Sequence, residues 1–186
     1  DMLSKKISKS LFIIRSLRSQ VDLEVLLMAY YAYINSHLTY GTLLWGNHCT
    51  AVNLFKLQKK ALRLMNGVHY RAHCKPLFIS CRILPLPCIY ILQCLLYVKQ
   101  NFTSFNTLSN THDHNTRHCD LIRIDKCSFA TVQNNFYHVS TKLFNSLPPS
   151  IRALTFASFK NCIKSMLYEQ CFYNLNEYFN YVKNVK

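Results

Sequence analysis

Leu3, Ile7, Leu11 and Ile14 step by 4, 4 and 3 residues, the repeat of one α-helical face. Lys5, Lys6 and Lys9 fall on the opposite side, and Arg15 and Arg18 carry the basic run past the apolar stripe. Ser19-Gln20-Val21-Asp22 reads as a capping box that opens a second helix. From residue 21 to about residue 37 that helix is apolar on nearly every side. The pattern predicts the buried centre of a bundle, with Tyr30, Tyr31, Tyr33 and Trp45 in the core. Residues 40–46 break it, and Gly41 and Gly46 suit a tight turn. Thr50 is placed to cap a third helix ending at Asn66-Gly67. Leu54, Leu57, Ala61 and Leu64 form its expected core stripe, opposed by Lys56, Lys59, Lys60 and Arg63.

Two further helices are expected over residues 74–82 and 87–99, parted by Leu84-Pro85-Leu86-Pro87. Residues 101–119 are polar and read as a linker. Residues 120–127 suggest a short extended segment and 129–145 a helix. Residues 147–152 form a hard break, and 158–170 a further helix. The tail to residue 186 alternates Tyr, Phe and Asn without a clear period. The expected fold class is all-α: a helical bundle over 1–100, the linker, and a smaller helical extension over 120–186.

Composition sharpens this reading. Only three of the 186 residues are glycine, which argues against Gly-rich phosphate loops and hairpin-rich folds. Lys and Arg number 22 against 8 Asp and Glu, a net charge of +14. Residues 1–100 hold 13 basic and 3 acidic residues. An excess of this size points to a polyanionic partner, most often nucleic acid. The four basic positions over 56–63 repel each other by a few tenths of a kcal/mol per pair, and a phosphate strand would relieve that. The eight carboxylates include no DD, DxD or ExxE pair, so nothing local supports two-metal phosphoryl transfer.

Nine cysteines, an odd number, suggest reduced and mostly buried thiols in an intracellular protein, nuclear or cytoplasmic. The longest apolar run, residues 83–98, contains Pro85, Pro87 and Gln93, so no membrane span is expected. His112, His114, His118 and Cys119, with Asp113, are the densest group of metal-ligand types. Their spacing matches no closed zinc site, and a solvated polar loop is the plainer reading. A zinc hydrolase built on them would carry stoichiometric metal. Cys74, Cys81, Cys88 and Cys94 are spaced 7, 7 and 6, but the prolines interrupt the helix, and buried structural thiols are expected. No local nucleophile signature accompanies any cysteine.

A set of short pieces then falls into a telling order: Lys6-Ile7-Ser8-Lys9 and Ile14-Arg15-Ser16-Leu17-Arg18; Tyr30-Tyr31-Ala32-Tyr33-Ile34-Asn35-Ser36-His37-Leu38-Thr39-Tyr40-Gly41; Leu44-Trp45-Gly46. Leu57-Gln58-Lys59-Lys60-Ala61-Leu62-Arg63, Pro76-Leu77-Phe78 and His114-Asn115-Thr116-Arg117 come next, then Leu143-Phe144-Asn145-Ser146-Leu147-Pro148 and Phe159-Lys160. Over about residues 3–165 this order resembles the C-terminal third of reverse transcriptases from non-LTR, LINE-type retrotransposons of the jockey-like kind. The resemblance implies a thumb, a helical bundle that grips template–primer duplex through its backbone, and the extension behind it. It places that role on Lys5, Lys6, Lys9, Arg15, Arg18, Lys56, Lys59, Lys60 and Arg63, and marks Arg117 as part of the family pattern. The family's Tyr/Phe-x-Asp-Asp turn and further palm Asp have no counterpart in this sequence. The resemblance therefore implies a piece that begins after the palm, inactive as a polymerase alone. Magnesium is expected only in that palm, no cofactor in this chain, and the partners are an RNA/DNA duplex and the upstream palm domain. The alternative is a decayed element remnant acting as a helical interaction protein.

Overall fold

The computed structural model describes residues 2–108 and 120–185. The fold is all-α. Among the described residues the one extended pairing is an antiparallel bridge between Thr107 and Ile122. The chain divides into two compact units, one of residues 1–90 and 165–173, the other of 91–164 and 174–186. This division does not follow the expected one of 1–100, 101–119 and 120–186.

The first unit begins with α1 (Met2–Leu17), α2 (Leu23–Tyr30), a π-helical turn (Tyr31–Asn35), α3 (Ser36–Thr39) and α4 (Thr42–Trp45). It continues with α5 (Ala51–Asn66) and α6 (Lys75–Ser80). Helix α7 (Leu86–Gln100) starts in this unit. The expected stripe on α1 is confirmed in part: Ile7, Leu11 and Ile14 are buried, joined by Ser10, while Leu3 is only half-buried. Helix α1 packs on α5, and α2 packs on both. The Ser10 hydroxyl donates to the Tyr33 carbonyl across this interface at 3.1 Å, tying α1 to the widened π turn.

The segment over 23–39 is helical as expected, but it is not buried all round. One stripe, Leu26, Tyr30, Ile34 and Leu38, is buried at a strict spacing of four. Leu23, Val25, Met28, Tyr31 and Tyr33 face outward, Met28 at 63% exposure. The capping box is also absent. Asp22 occupies the cap position in an extended conformation and makes no side-chain cap bond. Thr50 likewise makes no cap bond; its hydroxyl lies 2.8 Å from His48 Nδ1.

Gln58 is the polar hub of this unit. It is fully buried on α5, and its Nε2 donates to Tyr30 Oη at 2.8 Å and to the Leu84 carbonyl at 2.9 Å. Its Oε1 accepts the Leu86 amide at 2.8 Å. One amide thus satisfies three buried groups from α2 and from the start of α7. Burial pushes the Tyr30 phenol well above its ordinary range.

The second unit contains the rest of α7, α8 (Ala130–Gln133), α9 (Phe136–Ser146), α10 (Pro149–Arg152), and α12 (Leu175–Val185); α11 (Phe156–Gln170) belongs to it up to Lys164. The helix expected over 129–145 is split at Asn134-Asn135, and the supposed break at 147–152 holds one helical turn, started by Pro149. The tail that showed no period forms α12, where Tyr178 and Val182 are buried one turn apart. Asn145 brackets Ile122, accepting its amide at 3.0 Å and donating to its carbonyl at 2.7 Å. Arg152 donates to the carbonyls of Leu147 and Asp120, and Lys99 to that of Arg152. The polar members of this region are therefore held on backbone groups, around Phe102, Phe144 and Phe159.

Among the described residues eight cysteines form no disulfide; Cys74, Cys88, Cys94 and Cys171 are buried and Cys49 is exposed. Among the described residues, no helix is long and apolar enough to cross a membrane.

Candidate nucleic-acid interface

On α1, the buried face made by Ile7, Ser10, Leu11 and Ile14 turns Lys5, Lys9 and Phe12 directly to solvent, since these recur at i, i+4 and i+7. Phe12 is 69% exposed, an aromatic face between cations. Lys6 and Arg15 flank it and are exposed. On α5 the buried face is Ala51, Leu54, Phe55, Gln58, Ala61, Leu62 and Met65. This is wider than the expected stripe and rotated from it, because Leu57 and Leu64 are only half-buried and Gln58 holds the centre.

That rotation separates the four expected cations of α5. Lys56 and Lys60, one turn apart, remain exposed. Lys59 is half-buried, with Nζ 4.4 Å from the Phe55 ring centre and 5.5 Å from that of Tyr173. These two rings meet edge to face at 5.0 Å. The Lys59 charge is thus committed to aromatic faces. Arg63 is half-buried too, and its Nε donates to the Ala72 carbonyl at 2.9 Å, bracing the loop after α5. Burial raises the Cys74 thiol beneath this loop, an effect opposed by the Arg63 and Lys59 charges.

Arg18 is exposed but closely packed at the C-terminal end of α5. Gly67 ends that helix at φ 67°, with the Val68 amide bonded to the Arg63 carbonyl at 3.2 Å and the Gly67 amide to that of Leu64 at 3.3 Å. A Cβ on Gly67 would lie 2.6 Å from Arg18 Nη2. A guanidinium here opposes the negative end of the helix dipole, so Arg18 has a structural task. Lys5, Lys6, Lys9, Arg15, Lys56 and Lys60 have no carboxylate within 4.0 Å among the described residues.

The braced loop supplies residues that the sequence reading missed. Tyr70 is 66% exposed, Arg71 lies 5.1 Å over its ring, and His69 packs against it at 4.3 Å. Arg71 and His73 are exposed beside it. The available signal was the run His69-Tyr70-Arg71-Ala72-His73 directly after the helix-ending glycine. Trp45 is half-buried and donates to the Tyr40 carbonyl at 3.0 Å, so it is a turn lock. The adjacent Tyr40 and Leu44 are exposed.

Arg117, and the His112, Asp113, His114, His118 and Cys119 group, lie outside the described residues. Among the described residues no group of three or more His, Cys, Asp or Glu side chains is arranged to hold a metal ion. The chemistry available on the first unit is therefore that of unpaired cations and exposed aromatic faces: neutralising phosphates and stacking on bases. Comparison with family models, with curated proteins and with solved structures finds no match to this chain.

Proposed function

We propose that this chain is the thumb and C-terminal region of a non-LTR retroelement RNA-directed DNA polymerase, non-catalytic by itself, and that it holds template–primer duplex through the phosphate backbone. The observation that carries the reading is the pair of solvent faces on α1 and α5. Two helices packed on each other present Lys5, Lys9, Lys56 and Lys60 with no acid partner among the described residues, and Phe12 is exposed on the same face of the first. The first unit as a whole holds 12 basic and 4 acidic residues. Such a surface binds polyanions with little sequence preference, because phosphate contacts carry no base information. The ordered pieces of the sequence supply the family. On this reading the carboxylates and magnesium of polymerisation belong to an upstream palm, which is also the protein partner.

Fluorescence anisotropy with a labelled RNA/DNA hybrid tests the surface. The variant Lys5→Glu/Lys9→Glu/Lys56→Glu/Lys60→Glu should lose at least about tenfold in affinity at moderate salt while keeping its helical circular dichroism. Unchanged affinity in a folded variant would remove these faces from the interface.

The second reading, a retroelement remnant acting as a helical interaction protein, is favoured by the outward apolar residues Leu23, Val25, Met28, Tyr31 and Tyr33. The genomic sequence upstream separates the two. An open frame encoding a palm with the Asp-Asp turn supports the polymerase; stop codons or an unrelated gene support the remnant.

A further inference from the structure

The second unit contains a cavity of about 390 Å³, lined by Asn106, Arg123, Asp125, Cys127, Asn135 and His138 among others. Cys127 lies on the extended segment before α8, and His138 on the first turn of α9. Cys127 Sγ is 3.9 Å from His138 Nδ1, and both side chains are half-buried. The backbone of Cys127 is fixed by Gln133, whose Nε2 donates to its carbonyl at 2.8 Å. Tyr137 stacks on Phe105 at 5.0 Å and forms a rigid wall beside the pair. Burial and the charge of Lys142 hold His138 below its ordinary value, which favours the neutral ring that can accept a proton. Arg123 at the cavity wall is paired with Asp125 at 3.1 Å. Lys142 on α9, off the wall but near enough to act on His138, has no carboxylate within 4.0 Å among the described residues and adds an uncompensated positive charge beside the imidazole.

We propose that Cys127 and His138 form a thiol-exchange site that takes up a small anionic disulfide, held by Arg123 and by the side-chain amides of Asn106 and Asn135. His138 Nδ1 takes the thiol proton, and the Cys127 thiolate attacks one sulfur of the disulfide. The sulfur–sulfur bond of the reagent breaks, and a new one to Cys127 forms. The departing thiolate takes the proton from His138, directly or through water. The disulfide is the only oxidant required, and one equivalent of free thiol is released.

Cys49 is the internal control. It is exposed, and its Sγ lies 3.7 Å from His48 Nδ1, but it lines no part of this cavity. Exposure and a neighbouring imidazole are thus matched or exceeded at Cys49, and the cavity is what differs. The test incubates the full chain with oxidised glutathione or with cystamine, a cationic disulfide, and follows each mixed disulfide by peptide mass spectrometry. Oxidised glutathione should modify Cys127 several-fold faster than Cys49, and cystamine should lose or reverse that preference. His138→Asn and Arg123→Gln should each slow glutathione at Cys127 and leave Cys49 unchanged. Equal or faster modification of Cys49 by both reagents overturns the proposal, as does a His138→Asn rate at Cys127 equal to that of the unaltered chain. Should either variant fail to fold, the ratio between the two reagents on the unaltered chain decides the matter.

Discussion

Gln58 and Gly46 show how much of the first unit rests on single positions. Truncating Gln58 would strand the Leu86 amide, the Leu84 carbonyl and the Tyr30 hydroxyl in a buried site. Gln58→Ala should cost about 3 kcal/mol, since each unsatisfied buried group costs roughly 1–3 kcal/mol. In a chain of this length that lowers Tm by roughly 8 °C, readable by thermal circular dichroism. Gly46 is required by contact. A Cβ there would lie 2.5 Å from Tyr90 Cδ2 and 2.6 Å from the Thr42 carbonyl oxygen. Gly46→Ala should therefore destabilise by about 1–3 kcal/mol, measured in urea, without changing affinity for nucleic acid. The resemblance singled out Gln58, Gly46 and Asn145 within its short pieces. In the structure each has a packing or hydrogen-bonding reason, so these pieces report on fold first.

At the scale of elements, α1 and α5 were legible because one face of each is buried and the other solvated, the condition under which a 3.6-residue period survives in sequence. Their ends were less legible. Asp22 and Thr50 have suitable cap side chains but make no cap bonds. Helix α12 was missed although Leu175, Tyr178, Phe179 and Val182 recur at i, i+3, i+4 and i+7; the alternation of aromatic residues with Asn around them masked that period. The burial of α2 was overestimated for the converse reason: an apolar composition says nothing about how many neighbours a helix has, and the described neighbours cover one stripe. The candidate interface was legible as a set of cations but not as a sorted one. Which of the four on α5 faces solvent depends on Tyr173, more than a hundred residues away, and on the loop that Arg63 braces. This sorting is testable. Lys56→Glu/Lys60→Glu should weaken binding at unchanged Tm. Arg63→Glu should lower Tm by several degrees, having lost its bond to the Ala72 carbonyl; equal effects of the two on stability would contradict the assignment.

For the whole molecule, the +14 charge is carried by both units, with 12 basic and 4 acidic residues in the first and 10 and 4 in the second. In the first unit the exposed Lys5, Lys9, Lys56 and Lys60 lie on the outer sides of two helices that pack on each other. An arrangement of this kind makes a graded, salt-sensitive grip on a phosphate backbone. The most direct measurement is the affinity of the full chain for an RNA/DNA hybrid as a function of salt concentration. Four phosphate contacts, one each for Lys5, Lys9, Lys56 and Lys60, predict a slope on the order of −4 in log affinity against log salt, flattening toward zero when the four are reversed to Glu. A flat salt dependence in the unaltered chain, or a slope that survives the reversal, would contradict the account.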